Sequence, residues 1–210
     1  MAEAVLDPGS GQAGGHDASH DEHHYTATGL SNWKVGFWTF IGSECLFFGT
    51  LLSTYMVYKG ASLEGPYPSD IFDIPLTTLS TFVLLMSSLA MVLGLDGVQK
   101  GDRKKASFWL GVVVVFGAIF LGFQYYEFNH FVHEGLTLDH SVFGSTFYVL
   151  TGFHGAHVTV GVIWLSTLLI QSLRGKLTPD KALQVEIAGL YWHFVDIVWI
   201  VIFVLVYLIP

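Results

Sequence analysis

Five apolar stretches, each long enough to cross a bilayer, constrain this chain more than any other feature of its sequence. A hydrocarbon core about 30 Å thick needs roughly 20 apolar residues at about 1.5 Å of helical rise each. Residues 33–58, 75–98, 106–129, 142–173 and 183–208 meet that measure. Lipid offers no hydrogen bonds to exposed backbone groups, so segments of this kind close their own bonds as α-helices. The expected fold is an all-α membrane protein: a bundle of five transmembrane helices over residues 33–210, behind a solvated tail at 1–32. Composition agrees, since 52% of the 210 residues are hydrophobic and 12% are charged, against about 25% charged in ordinary soluble domains.

Charge sorts by side. Lys34, Lys100, Arg103, Lys104, Lys105, Arg174, Lys176 and Lys181 fall at one set of span ends, and Lys59 falls at the other. The positive-inside rule then puts the amino terminus in the cytoplasm and the carboxyl terminus outside. A net charge of -8 without a basic tract excludes nucleic acid as a partner. The single cysteine, Cys45, closes no internal disulfide and reads as a small apolar residue buried between helices. The tail has no positive segment followed by an apolar run, so it does not read as a cleavable signal. It does carry His16, His20, His23 and His24 among acids, a composition that gathers divalent metals when something holds it in one geometry. No hydrophobic residue does so here, and a disordered extension is the expectation.

Small residues let helices approach closely in lipid, and Gly36, Gly42 and Gly49 on the first span and Gly144, Gly152, Gly155 and Gly161 on the fourth are expected to do so. Ionisable groups at mid-membrane ask for a partner or a water path. Glu44 lies centrally in span one, His154 and His157 in span four, and His193 and Asp196 in span five. Residues three apart share a helix face. The expectation is therefore one polar cluster joining spans one, four and five, with Glu44 and Asp196 satisfying imidazole N–H groups. Such a cluster can fix helix register through hydrogen bonds, handle protons through a carboxyl, or bind a metal. A di-iron bundle would need Glu-x-x-His pairs on two helices with further inward Glu residues, whereas the motif here is His-x-x-His. A self-contained membrane metalloenzyme using His154, His157 and His193 thus stands as an alternative of another class, and a small ion carrier as a third. Gln124 and Glu127 close span three among Tyr and His residues of an interfacial belt, with Glu127 expected to find a partner such as His130 or a group on span four.

Four elements in consecutive spans carry a family resemblance: Ser43, Glu44, Phe47 and Phe48; Gln124 and Glu127; Phe153 to Val158 as Phe-His-Gly-Ala-His-Val; and Tyr191 to Trp199 as Tyr-Trp-His-Phe-Val-Asp-Ile-Val-Trp. From about Trp33 onward the chain resembles subunit III of the haem-copper terminal oxidases, in its short five-helix bacterial form. The resemblance implies a non-redox subunit of a respiratory oxidase of the cytochrome c type, with a quinol oxidase as the alternative. It implies no catalytic residue, metal or cofactor in this chain, with haems and copper in the partner subunits. The implied partners are phospholipid, the catalytic subunit I, subunit II, and subunit IV or a larger respiratory supercomplex. The implied place is the bacterial inner membrane, and the implied roles are stabilising subunit I, supporting proton uptake and guiding oxygen.

Overall fold

The structure is a computed structural model, and it describes residues 32–59, 74–133 and 142–209. The tail histidines therefore lie outside the described residues. Five helices run through the bundle: α1 Asn32–Tyr58, α2 Ile74–Gln99, α3 Arg103–His133, α4 Val142–Leu173 and α5 Ala182–Ile202. A 3-10 turn at Pro179–Lys181 leads into α5, and a π-helical turn at Phe203–Leu208 extends it. All five are long and apolar enough to cross a membrane, which bears out the expected all-α five-helix fold.

Two connections at the basic end are built alike. Gly101 and Gly175 adopt positive φ, 71° and 70°, which glycine does at little cost. Behind Gly101, the Asp102 N–H reaches back to the Gly97 carbonyl at 2.9 Å; behind Gly175, Lys176 N–H reaches the Gln171 carbonyl at 2.9 Å. These six-to-one bonds satisfy the last carbonyls of α2 and α4. Asp102 then caps α3 by accepting from Lys105 N–H at 3.0 Å. Lys34 pairs with Glu186 at 2.7 Å, and Lys105 with Asp96 at 2.6 Å, while Arg103 donates to the Ser172 carbonyl at 2.9 Å. Helix ends that carry the basic residues are thereby tied together. At the opposite end Lys59 donates to the Leu205 and Ile209 carbonyls, and its burial there pushes its pKa below the ordinary lysine value.

The packing centres on α5, which touches α1, α2 and α4, while α3 packs against α2 and α4. Two tryptophans seven residues apart share one face of α5 and bridge its neighbours. Trp192 donates its indole N–H to Ser87 Oγ on α2 at 2.9 Å. Its ring lies against Gly117 of α3 and Gly161 of α4, so close that a Cβ at either glycine would stand 2.7 or 2.8 Å from a ring carbon or its neighbour. Trp199 donates to Thr81 Oγ1 on α2 at 2.9 Å, stacks on His154 of α4 at 4.9 Å and meets the edge of Phe120 of α3. Helices in lipid gain nothing from hiding apolar area, so such close packing and interhelical hydrogen bonds hold them.

Two sequence expectations need correction. Gly36, Gly42, Gly49 and Gly152 have nothing within 4 Å of an added Cβ, so they bring no helix of this chain closer; Gly155 and Gly161 do. Cys45 is exposed on the bundle surface, not buried. For Gly36, Gly42, Gly49 and Cys45 the reason is the position of α1, which meets only α4 and α5 closely and turns Leu46, 76% exposed, outward; Gly152 of α4 faces an open groove beside Tyr125 and Phe128. The same asymmetry predicts that Gly161→Val lowers stability by about 1–3 kcal/mol through overpacking against Trp192. Gly42→Val should stay within about 0.5 kcal/mol. Thermal unfolding of both variants in detergent checks the contrast.

Candidate functional site

Glu44, His154, His157, His193 and Asp196 occupy three places. At the first, Glu44 of α1 approaches His157 Nε2 of α4 at 3.3 Å, both half-buried. His157 Nδ1 lies 2.8 Å from the Phe153 carbonyl of its own helix. A carbonyl accepts only, so Nδ1 carries a proton. The Glu44–His157 contact then closes as a hydrogen bond only with one further proton, held on Nε2 or on the carboxyl. Phe48 meets the imidazole at 5.0 Å and Phe47 meets Phe153 at 5.2 Å, so aromatic rings fence the pair. Tyr191 of α5 donates to the His157 carbonyl at 3.0 Å. The pair opens into an outward groove between α1 and α4, about 610 Å³, lined also by Phe37, Phe40 and Trp164.

At the second place, His154 is 0% exposed and boxed by Trp199, Phe120 and Phe48. Neither ring nitrogen has a hydrogen-bond partner among the described residues. At the third, His193 Nδ1 of α5 lies 2.6 Å from Ser88 Oγ of α2. Asp196 is buried one turn further along.

The structure thus joins Glu44 with His157, as spans one and four required, but it does not join Asp196 to an imidazole. The reason is helical geometry. Positions three apart differ by about 60° around the axis. That angle sends His157 toward α1 and His154 into the core, and it sends His193 to the α1/α5 groove and Asp196 inward. The three imidazoles consequently point to three surroundings instead of one ligand point, and no group of three His, Cys, Asp or Glu side chains gathers among the described residues.

Near the other end, Gln124 donates Nε2–H to the Thr151 carbonyl of α4 at 2.8 Å and lies over Gly155, where a Cβ would sit 2.6 Å from its Oε1. Glu127 is buried and accepts from the Thr77 hydroxyl of α2. Sequence reasoning had looked to His130 or α4 for that donor. It also missed Ser88, Trp192 and Trp199 as the groups that position the site. Their signal is a polar stripe on span two, Thr77, Thr81, Ser87 and Ser88, facing a Trp pair seven apart on span five.

Five apolar helices with polar groups paired across them define a multi-pass membrane protein. Residues 16–209 match the family described as Cytochrome c oxidase subunit III, and the chain belongs to that family, whose members are subunits of multi-subunit oxygen-reducing oxidases. It is 42% identical over 174 residues to Cytochrome c oxidase subunit 3 of Bacillus sp. (strain PS3), covering 83% of this chain and 84% of that one. It is 41% identical over 174 residues to Quinol oxidase subunit 3 of Bacillus subtilis (strain 168), covering 83% and 85%. Cytochrome bo(3) ubiquinol oxidase subunit 3 of Pseudomonas aeruginosa is 36% identical over 208 residues, covering 99% of this chain and 98% of that one. The family match begins well before Trp33, inside the histidine-bearing stretch.

The pair geometry predicts energetic coupling between Glu44 and His157. A double-mutant cycle of Glu44→Gln and His157→Gln, read as thermal stability of the purified complex, should return a coupling of about 0.5–1.7 kcal/mol. Additive effects would mean that the contact carries no interaction.

Proposed function

We propose that this chain is the non-redox subunit III of an aerobic, proton-translocating terminal oxidase in a bacterial cell membrane, with its amino terminus in the cytoplasm. In this reading it docks on the catalytic subunit I and keeps that subunit active through repeated turnover, while haems and copper reside in the partner subunits. The observation that supports it best is the Glu44–His157 pair, seated in a groove that opens outward from the chain. A proton-holding group placed there faces whatever surrounds the bundle, partner or lipid, and not a reaction chamber of its own. The flanks of that groove are apolar and aromatic, which suits a phospholipid chain and oxygen solubility. The eight basic residues at one end support the orientation.

Cytochrome c is the proposed electron source. A quinol oxidase is the second reading, favoured by the Pseudomonas aeruginosa relative, whose match extends over 99% of this chain where the Bacillus relatives reach 83%. A dinuclear copper centre in the co-purifying subunit II decides for cytochrome c, and its absence for quinol.

Glu44→Gln tests the role of this chain. The haem spectra of the assembled oxidase should be unchanged, while the number of turnovers before inactivation falls severalfold. Altered haem ligation, or wild-type endurance in a fully assembled complex, would overturn the proposal.

A further inference from the structure

The basic end of the bundle carries more positive charge than its own carboxylates engage. Asp96 binds Lys100 at 2.8 Å and Lys105 at 2.6 Å, and Glu186 binds Lys34 at 2.7 Å. That leaves Arg103, Lys104, Arg174, Lys176 and Lys181 against Asp180 and against Asp102, which caps α3. Lys104, Arg174 and Lys176 are exposed and form no ion pair among the described residues.

This surplus lies on one surface, because the two turns that carry it touch. Arg103, at the start of α3, donates to the Ser172 carbonyl at 2.9 Å, and a Cβ on Gly175 would stand 2.9 Å from its guanidinium. A Cβ on Gly101 would stand 3.6 Å from Pro179 Cγ. Lys181 Nζ donates to the Lys176 carbonyl at 3.1 Å. Arg103 thus meets carbonyl groups and not a carboxylate, so its charge stands uncancelled.

Residues 1–31, outside the described residues, supply the complement. They contain Glu3, Asp7, Asp17, Asp21 and Glu22 and no Lys or Arg. They join α1 at Asn32, and the Lys34–Glu186 pair sets that junction beside the start of α5, just after the turn that carries Lys176 and Lys181. Asp21 and Glu22 lie about ten residues before Asn32, a chain length that reaches up to roughly 35 Å. Neighbouring helix axes are about 8–10 Å apart, so that reach covers the bundle end from α1 to α3. A tethered segment meets such a surface at an effective concentration in the millimolar range. The family match, over residues 16–209, includes the acids at 17, 21 and 22.

We propose that the acidic segment preceding α1 covers the basic end of the bundle, and that its four histidines release it in acid. His16, His20, His23 and His24 are neutral above the ordinary imidazole value of about 6.5 and charged below it. Above that value the segment is strongly negative and is drawn to Lys104, Arg174 and Lys176. Below it, four imidazolium charges nearly cancel five carboxylates while the lysines and arginines of the bundle keep their charge, so the attraction is lost as pH falls. The described residues at this end include no histidine that titrates in the same range, only the bases named above with Asp96, Asp102, Asp180 and Glu186. Attraction between exposed charges is screened by salt. The contact goes beyond the subunit III role and does not depend on it.

Two nitroxide labels on the assembled complex test it, one at Ser19→Cys in the segment and one at Gln99→Cys at the end of α2, with Cys45→Ser in the background. Electron–electron resonance distances should show a short-distance population at about pH 8 that falls severalfold at about pH 5.5. It should fall likewise in roughly 0.5 M salt, where charges are screened within a few ångströms. Joint His16→Gln, His20→Gln, His23→Gln and His24→Gln should keep that population at both pH values. Lys104→Glu with Lys176→Glu should abolish it at both. Should the Glu variant fail to assemble, the Gln variant, which leaves the bundle untouched, carries the test. Equal distances at every pH and salt concentration, or release in acid by the Gln variant, would overturn the proposal. So would unmoved labels together with loss of phosphatidylglycerol or of a partner subunit from the Glu variant, which assigns the basic end to lipid headgroups or to another chain. Failure to co-purify with an oxidase strikes the subunit III role and leaves this contact standing.

Discussion

Lipid provides neither hydrogen bonds nor a hydrophobic force between helices, so the backbone must close its own bonds, and close packing and side-chain hydrogen bonds between helices hold the bundle. The rest of this structure depends on that constraint. The central helix meets it with two indole N–H groups, each bonded to a hydroxyl of α2 and each with its ring laid against α3 and α4. Trp192 can come that near because Gly117 and Gly161 leave room for it. Four helices are thereby fastened through two side chains.

The arrangement also explains where functional groups sit. Helix α1 joins the bundle at its margin, so the one carboxylate–imidazole contact it makes lies on a groove that the surroundings reach. Asp196 lies on the inner face of α5, buried in the core. Two carboxyl groups in one small bundle thus have opposite settings. Glu44 is paired at the surface, whereas Asp196, in the core, has no hydrogen-bond partner among the described residues.

Much of the fold was legible because span length and hydropathy depend on the solvent and not on packing detail. The charge of the connections likewise marked which helix ends would meet. Rotation about each helix axis was not legible. A membrane helix that is apolar on all sides carries no amphipathic stripe to say which residues point inward. Hence Gly42 and Gly49 looked like packing residues and face outward, Cys45 looked buried and is exposed, and five ionisable residues that looked like one cluster divide into three places. Glu44 and His157 were placed together correctly because depth along the span and chemical complementarity sufficed. Ser88 was passed over because a lone hydroxyl in an apolar helix usually bonds its own backbone, as Thr81 and Ser87 also do.

The central position of α5 against α2 can be measured through one pair of sites. Gly189 on α5 would carry a Cβ 3.6 Å from Met91 Cγ of α2, the place a cysteine sulfur takes at that position, so the pair is a candidate for a disulfide after substitution. With Cys45 replaced by Ser, oxidation of native membranes containing Met91→Cys with Gly189→Cys should form an intrachain cross-link. Met91→Cys with Gly42→Cys should not. Cross-linking in the second pair and none in the first would contradict the arrangement on which every contact described above relies.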